Sequence, residues 1–313
     1  MGGERESKVM SETKFTMEQA DCATAMRKLK AKSVDVVVTS PPYNRGKKYD
    51  TYIDRMSDEE YLLWSILWTK EVHRVLKPHG SFFLNIGGWK ENPFLPFEVL
   101  AQLRSRFVLQ NTFHWIKSIS VQLPENKIIV GKIAKGQRVA VQTGGGEVVT
   151  GIVQPGQKIK VNGVAEISVG RFAPLKTNLI VNNCHEFMFH LTKSGDTPLD
   201  RLAVGVVYAD KSNIDRWEHT AGRDRRCRGN SWFIPYVNKR NENIRGHPAT
   251  FPVELAANCI KIHGVRPGVV VLDPFVGIGS SAEAAKECGV AHFIGFDLSG
   301  SYLAEARKRV GLT

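Results

Sequence analysis

Val271-Leu272-Asp273-Pro274-Phe275-Val276-Gly277-Ile278-Gly279-Ser280 is the stretch on which the fold turns. Its aliphatic opening reads as a buried strand, Pro274 stops the ladder, and two glycines lead into a small, polar helix start. A strand, a glycine turn and a helix start let backbone approach a ligand at the carboxyl end of a strand, although the same two glycines also suit a tight turn with no ligand. Outward from this stretch, the spacing predicts a helix over about Phe251–His263 and a strand from Val269 to Asp273. A helix over Ser280–Cys288, a strand over His292–Asp297 and a helix over Tyr302–Arg309 follow.

The same rhythm opens the chain. Val34-Asp35-Val36-Val37-Val38-Thr39 is a β-branched run that ends abruptly at Ser40-Pro41-Pro42. Leu62, Leu63, Ile66, Leu67, Val72, Val75 and Leu76 recur at helical spacing, and Lys77-Pro78-His79-Gly80 reads as a stop before a strand over Ser81–Ile86. A helix from about Pro96 to Arg106, a strand over Gln110–Trp115 and a strand-like Glu186–Thr192 extend it. Strands alternating with helices predict an α/β protein with a doubly wound, mainly parallel sheet.

Composition narrows the class. With 313 residues, 42% of them hydrophobic and 24% charged, the chain can bury a sizeable core. A formal charge of +12 suits partners rich in phosphate, though basic proteins that bind acidic metabolites share it. Five scattered cysteines without a Cys-x-x-Cys pair suggest neither a disulfide framework nor a zinc site, so a reducing cytoplasm is expected and no metal. No run of eighteen apolar residues exists and the N-terminus is charged, which argues against a membrane span or a secretory signal.

Two stretches break the α/β rhythm. Between about Val121 and Arg171 the turn cues Thr143-Gly144-Gly145-Gly146, Gln154-Pro155-Gly156 and Val161-Asn162-Gly163-Val164 punctuate short strands, which predicts a small projecting β-ribbon. From about Gly195 to Gly246 a polar tract carries Arg223, Arg225, Arg226 and Arg228 near Trp217, Trp232, Phe233 and Tyr236. Arginines serve phosphates and guanine edges, and aromatics can wedge where a base leaves the duplex; a solvated loop with its aromatics in the core is the plainer alternative. Trp64 and Trp68, four apart on a helix, read as packing.

Asp297 lies eighteen residues past Gly279 at the end of the next strand, near the spacing at which an acidic side chain takes ribose hydroxyls. The turn lacks the third glycine of a dinucleotide fingerprint, which favours S-adenosylmethionine, a ribose without a pyrophosphate, over NAD. Thr39-Ser40-Pro41-Pro42-Tyr43-Asn44 suits a complementary task. An exocyclic base amine is a poor nucleophile because its lone pair is delocalised into the ring, so acceptors must draw its hydrogens out of plane. The Ser40 hydroxyl and Pro41 carbonyl can accept, Pro41 and Pro42 stiffen the loop, and Tyr43 can stack on a flipped base.

Thr39–Asn44 resembles the catalytic motif of the DNA amino-methyltransferases, and Asp273–Gly279 is similar to their cofactor motif with its Phe-x-Gly-x-Gly core. The catalytic motif precedes the cofactor motif, as in the β class of that family, a circular permutation of the usual methyltransferase chain. The resemblance implies a seven-stranded methyltransferase sheet and covers nearly all of the chain outside the β-ribbon, which is read as an insertion that forms the target-recognition region together with the basic tract. Residue pattern and resemblance together suggest a disordered lead over 1–12, a catalytic half over 13–120, the ribbon over 121–171 and a return strand over 172–194. The recognition region then occupies 195–246 and the cofactor-binding half 247–313.

By the same resemblance Ser40, Pro41, Pro42 and Tyr43 are catalytic. Phe275, Gly277 and Gly279 line the methionine end of S-adenosyl-L-methionine, Asp273 of the same motif binds the cofactor with them, Asp297 binds its ribose and Asp21 contacts its adenine. His247-Pro248-Ala249-Thr250-Phe251-Pro252 resembles the entry to the helix that cups the methionine carboxylate, which brings in His247 and Phe251. Trp115, expected at the end of its strand, faces the flipped base. Apart from the resemblance, the basic tract itself suggests that Arg223, Arg225, Arg226 and Arg228 bind double-stranded DNA. Ser before Pro-Pro-Tyr goes with cytosine N4 more often than with adenine N6 in this family, and both remain open. Protein-amide or RNA methylation and a catalytically silent DNA-binding subunit are the rival readings; carbon-5 methylation is disfavoured because no cysteine follows a proline. The resemblance leaves open a partner restriction endonuclease.

Overall fold

The computed structural model describes residues 12–119, 183–208, 224–235 and 250–312, together with strands at 138–142 and 148–152 and a few isolated positions. It divides into two compact units, one formed by Met1–Ile116 with His185–Thr313 and the other by Lys117–Cys184.

In the first unit, β1 (Lys14–Gln19), α1 (Cys22–Arg27), β2 (Val34–Thr39), α2 (Asp58–Val75), β3 (Leu76–Ile86), α3 (Leu95–Leu103) and the start of β4 (Val108–Ile119) lead up to the insertion. In the second unit, β5 (Arg138–Gln142) and β6 (Val148–Ile152) form an antiparallel pair, and β7 (Val169–Gly170) pairs with Ser118 and Ile119 of β4. The turn cues at 143–146, 154–156 and 161–164 lie outside the described residues. The first unit resumes with β8 (His185–Thr192), β9 (Ser231–Pro235), α4 (Val253–His263), β10 (Val270–Asp273), α5 (Ser280–Glu287), β11 (His292–Asp297) and α6 (Gly300–Arg309).

The strands of the first unit stand in the order β1-β11-β10-β2-β3-β8-β4, with β9 added to β4. The first five strands of this order run parallel, and β8 runs antiparallel to both β3 and β4. Every residue of β2 is buried, as expected of a central parallel strand covered on both faces. Val37 packs with Met26, Trp68, Val72 and Val99 of α1, α2 and α3. Val36 and Val38 belong to the opposite core, with Leu255, Ala284 and Leu303 of α4, α5 and α6. The sheet is therefore doubly wound, as the alternation of elements predicts.

Helix α2 starts on a capping box: the Ser57 hydroxyl accepts from the Glu60 N–H at 3.2 Å and the Glu60 carboxylate from the Ser57 N–H at 2.8 Å. Such a cap stabilises a helix by roughly 1 kcal/mol. Its end differs from the expectation. Leu76 already pairs with Val34, while Ser81 pairs with Val36, so Lys77–Gly80 bulges opposite Asp35 instead of separating helix from strand. The bulge has a local cause, since the buried Asp35 carboxylate accepts from Lys77 Nζ at 2.7 Å, Arg266 Nη2 at 3.1 Å and the Val270 N–H at 3.0 Å. Strand β4 runs four residues beyond Trp115, and β9 lies in a tract whose polarity hid it. Among the described residues no helix is long and apolar enough to cross a membrane.

Candidate active site

Strands β2, β10 and β11 are parallel neighbours, so their carboxyl ends open on one edge and bring Thr39, Asp273 and Asp297 together. Thr39 Oγ1 donates to Asp273 Oδ1 at 2.5 Å, the Ser281 hydroxyl donates to Oδ2 at 2.5 Å, and the Phe275 N–H adds a third bond at 2.9 Å. Burial pushes the Asp273 carboxyl up to about 6, against the pull of these three donors. The expectation that Asp273 touches the cofactor is corrected here. The side chain is 0% exposed and both oxygens are taken, so it braces the catalytic strand against the glycine turn.

Within that turn Gly277 and Gly279 adopt φ of 52° and 91°, conformations that disfavour a side chain. A Cβ on Gly279 would also meet Ala306 Cα at 2.8 Å, so the turn lies hard against α6. The Gly277 N–H donates to Asp297 Oδ2 and the Ser299 N–H to Oδ1, both at 2.9 Å. Asp297 is partly buried, and that burial raises its carboxyl above the usual range. The Phe275 ring lies 5.4 Å from Trp64 and 5.1 Å from Trp68, so both tryptophans pack behind the turn.

The residues fit a cationic nucleoside. Asp273–Glu283 carries no Lys or Arg that would pair with a pyrophosphate, while Asp297 places a carboxylate at the strand end, where a ribose diol can donate. Asp21 follows β1, whose Gln19 pairs with Asp297; its side chain caps α1 by accepting from the Thr24 N–H at 2.9 Å. Phe251 packs partly buried against the core just before α4, and His247 lies outside the described residues.

The catalytic loop leaves β2 at Ser40. Pro41 is buried, and the Pro42 carbonyl accepts from the Tyr61 hydroxyl at 2.6 Å, which pins the loop to α2. Tyr43 OH lies 3.0 Å from Ser40 Oγ and donates to Glu186 Oε2 at 3.1 Å. Asn85 Nδ2 donates to the same carboxylate oxygen at 3.1 Å and to the Phe187 carbonyl at 3.1 Å. Burial, with the nearby Glu186 charge second, holds the Tyr43 phenol well above its ordinary range. Sequence reasoning does not single out Glu186: it sits alone in a strand pattern, and nothing in its local sequence marks it.

The loop that continues from Tyr43 is also tied down. Buried Asp54 accepts from the N–H groups of Asn44, Arg45 and Lys47, and Asn44 exchanges side-chain bonds with the Met56 backbone. Asp50 accepts from the hydroxyls of Ser299 and Ser301, while Tyr49 packs against Ile278 and Tyr302. Residues 44–56 thus join the catalytic motif to the glycine turn.

The expected DNA-facing residues divide. Trp115 is 3% exposed inside β4 and donates its indole N–H to the Ile234 carbonyl at 2.9 Å, which makes it core packing and corrects its placement against a flipped base. Trp232 is likewise buried, its ring 4.4 Å from Phe113, whereas Phe233 is 64% exposed. Arg225 and Arg226 are exposed, and Arg225 donates to the Gly205 carbonyl at 3.0 Å. Arg228 lies 3.7 Å from the Glu254 carboxylate. Arg223, Trp217 and Tyr236 lie outside the described residues.

Known proteins share this plan. A family model of N6/N4 methyltransferases, described as DNA methylase, matches residues 34–308. Type II methyltransferase M.HpaI of Haemophilus parainfluenzae is 25% identical over 287 residues, 91% of this chain and 71% of its own. DNA adenine methyltransferase YhdJ of Escherichia coli (strain K12) is 23% identical over 94% of this chain and 82% of its own. The solved structure of the cytosine-N4-specific PvuII DNA methyltransferase superposes with a TM-score of 0.63 at 18% identity, covering 96% of this chain and 88% of its own.

Proposed function

The chain belongs to the N6/N4 DNA methylase family, and on that premise we propose that it methylates the N4 amine of cytosine in double-stranded DNA. It is an S-adenosylmethionine-dependent DNA amino-methyltransferase that acts on a base flipped out of the duplex. What supports the finer reading is Ser40, which follows β2 and lies 3.0 Å from the Tyr43 hydroxyl, since Ser before Pro-Pro-Tyr goes with cytosine N4 more often than with adenine N6 in this family.

Asp297 would hold the ribose of the cofactor, Gly277, Gly279 and Phe275 would border its methionine end, and Asp21 would reach its adenine. When bound, S-adenosylmethionine supplies an electrophilic methyl group on a sulfonium. The residues of the chain do the rest. Ser40 Oγ and the Pro41 carbonyl accept from the target amine and turn its lone pair out of the ring plane, and Tyr43 stacks on the base. The Thr39–Asp273 bond keeps the amine acceptors and the glycine turn in fixed relation, which supplies the proximity that direct transfer needs. Arg225 and Arg226 supply exposed positive charge for phosphates.

Adenine N6 is the second reading, supported by the similarity to the DNA adenine methyltransferase YhdJ, which aligns over 94% of this chain. Nucleoside mass spectrometry of DNA of mixed sequence, incubated with protein and S-adenosylmethionine, separates the readings. N4-methylcytosine is the expected product, and N6-methyladenine selects the second reading. Absence of both from a protein that binds cofactor and DNA points to a silent binding subunit.

A further inference from the structure

Glu186 of β8 ends a chain of oxygens that begins at Ser40, with separations of 3.0 Å from Ser40 Oγ to Tyr43 OH and 3.1 Å from Tyr43 OH to Glu186 Oε2. An ionised carboxylate only accepts hydrogen bonds, so the Tyr43 proton points at Glu186. The Tyr43 oxygen then accepts from Ser40, and the Ser40 proton points inward. What Ser40 has left to show a substrate is lone pairs. Asn85 Nδ2 holds the carboxylate from β3, and the room for its stem comes from Gly87, where a Cβ would meet Glu186 Cγ at 2.7 Å. Trp115 of β4 is its cross-strand neighbour.

We infer that Glu186 is a positioning residue that sets the direction of this chain, making Ser40 an acceptor toward the target amine, and that it takes up the proton the amine loses. The inference rests on the methyltransferase reading above. The amine nitrogen bonds to the methyl carbon as the carbon–sulfur bond breaks, and the electron pair of that bond stays on sulfur. The nitrogen, now cationic, gives one proton to Ser40 Oγ. Ser40 passes its own proton to the Tyr43 oxygen, Tyr43 passes its proton to Glu186 Oε2, and the carboxyl returns the proton to solvent between turnovers.

Glu186→Gln keeps the shape and removes the polarity, because an amide N–H can donate to Tyr43 and reverse the chain. Two measurements follow on duplexes carrying the site that product analysis identifies. In the first, made without cofactor, each protein binds a duplex with the amine-bearing target base or one with its deaminated, carbonyl-bearing counterpart. The mispair this introduces is the same for every protein and cancels between them. The preference for the amine is expected to fall by about tenfold in Glu186→Gln, the equivalent of one misdirected hydrogen bond. In the second, kcat falls by about 100-fold or more with KM for S-adenosylmethionine within twofold, and Glu186→Asp recovers part of the loss. Tyr43→Phe, which breaks the chain at its middle and keeps the ring, gives the same loss of base preference and serves if Glu186→Gln does not fold. Unchanged base preference and kcat in Glu186→Gln, or in Tyr43→Phe, overturn the inference while leaving the methyltransferase reading intact. A wild-type protein that methylates no DNA overturns both.

Discussion

Thr39 and Asp273 stand 234 positions apart in the chain and share a buried hydrogen bond of 2.5 Å. One closes the strand that carries the catalytic motif, the other the strand that carries the glycine turn. The two halves of the chemistry are therefore joined by a bond as short as any between the described side chains of the site, and Ser281 and the Phe275 N–H complete its surroundings.

Replacing Asp273 with Ala leaves two hydroxyls and one N–H buried without their acceptor. Each orphaned group costs about 1–3 kcal/mol, so the loss is expected to be several kcal/mol. Thr39→Val, which removes one donor and leaves Phe275 and Ser281 in place, is expected to cost about 1–2 kcal/mol. Urea unfolding checks both, and equal midpoints for Asp273→Ala and wild type would contradict the brace.

Tyr43→Ala removes the stacking face and the middle of the Ser40–Glu186 chain, but touches none of the bonds that hold Asp297 or the glycine turn. We expect kcat to drop by about 100-fold or more while the affinity for S-adenosylmethionine, measured calorimetrically, changes little. Full activity would remove Tyr43 from the mechanism.

Gly279→Ala places a methyl 2.8 Å from Ala306 Cα at a φ of 91°. The left-handed backbone and the clash act together, and a stability loss of roughly 1–3 kcal/mol is expected. Weaker cofactor binding should accompany it, because the turn can relieve the clash only by moving away from α6.

His190 and His263 both bond Ser81 Oγ at 2.9 Å, and Asn111 lies 3.0 Å from the other ring nitrogen of His190. Burial lowers His190 to about 3 and His263 to about 4, with their mutual repulsion and Arg266 as the respective next causes. Both are neutral in the folded protein at pH 7, and their unfolded forms take up protons below about 6.5. Stability is thus fully present above that pH and falls as the pH drops toward 4 and 3, by up to about 1.4 kcal/mol per pH unit for each group. Denaturant midpoints between pH 7 and 4 should fall more steeply for wild type than for His190→Gln; parallel slopes would refute this.

Arg225→Ala with Arg226→Ala is expected to weaken DNA binding and lower the slope of log affinity against log salt by up to about two. Equal affinity at several salt concentrations would take these residues out of the DNA interface.

The alternation of strands and helices, the two motif-bearing turns and their order in the chain are legible in the sequence alone. Their signals are local: β-branched runs, prolines that end a ladder at Ser40–Pro42 and Pro274, and glycines in left-handed backbone at 277 and 279. Backbone preference acts over a few residues, and such residues announce it wherever they stand. Folding alone decided which strands became neighbours, and with that the burial of Asp273 as a brace, the packing of Trp115 under Ile234, the bulge opposite Asp35 and the meeting of Tyr43 with Glu186. Those outcomes depend on partners tens to hundreds of positions away. A carboxylate or an indole has the same local sequence whether it meets a ligand or a buried donor, and only the packed sheet distinguishes the two.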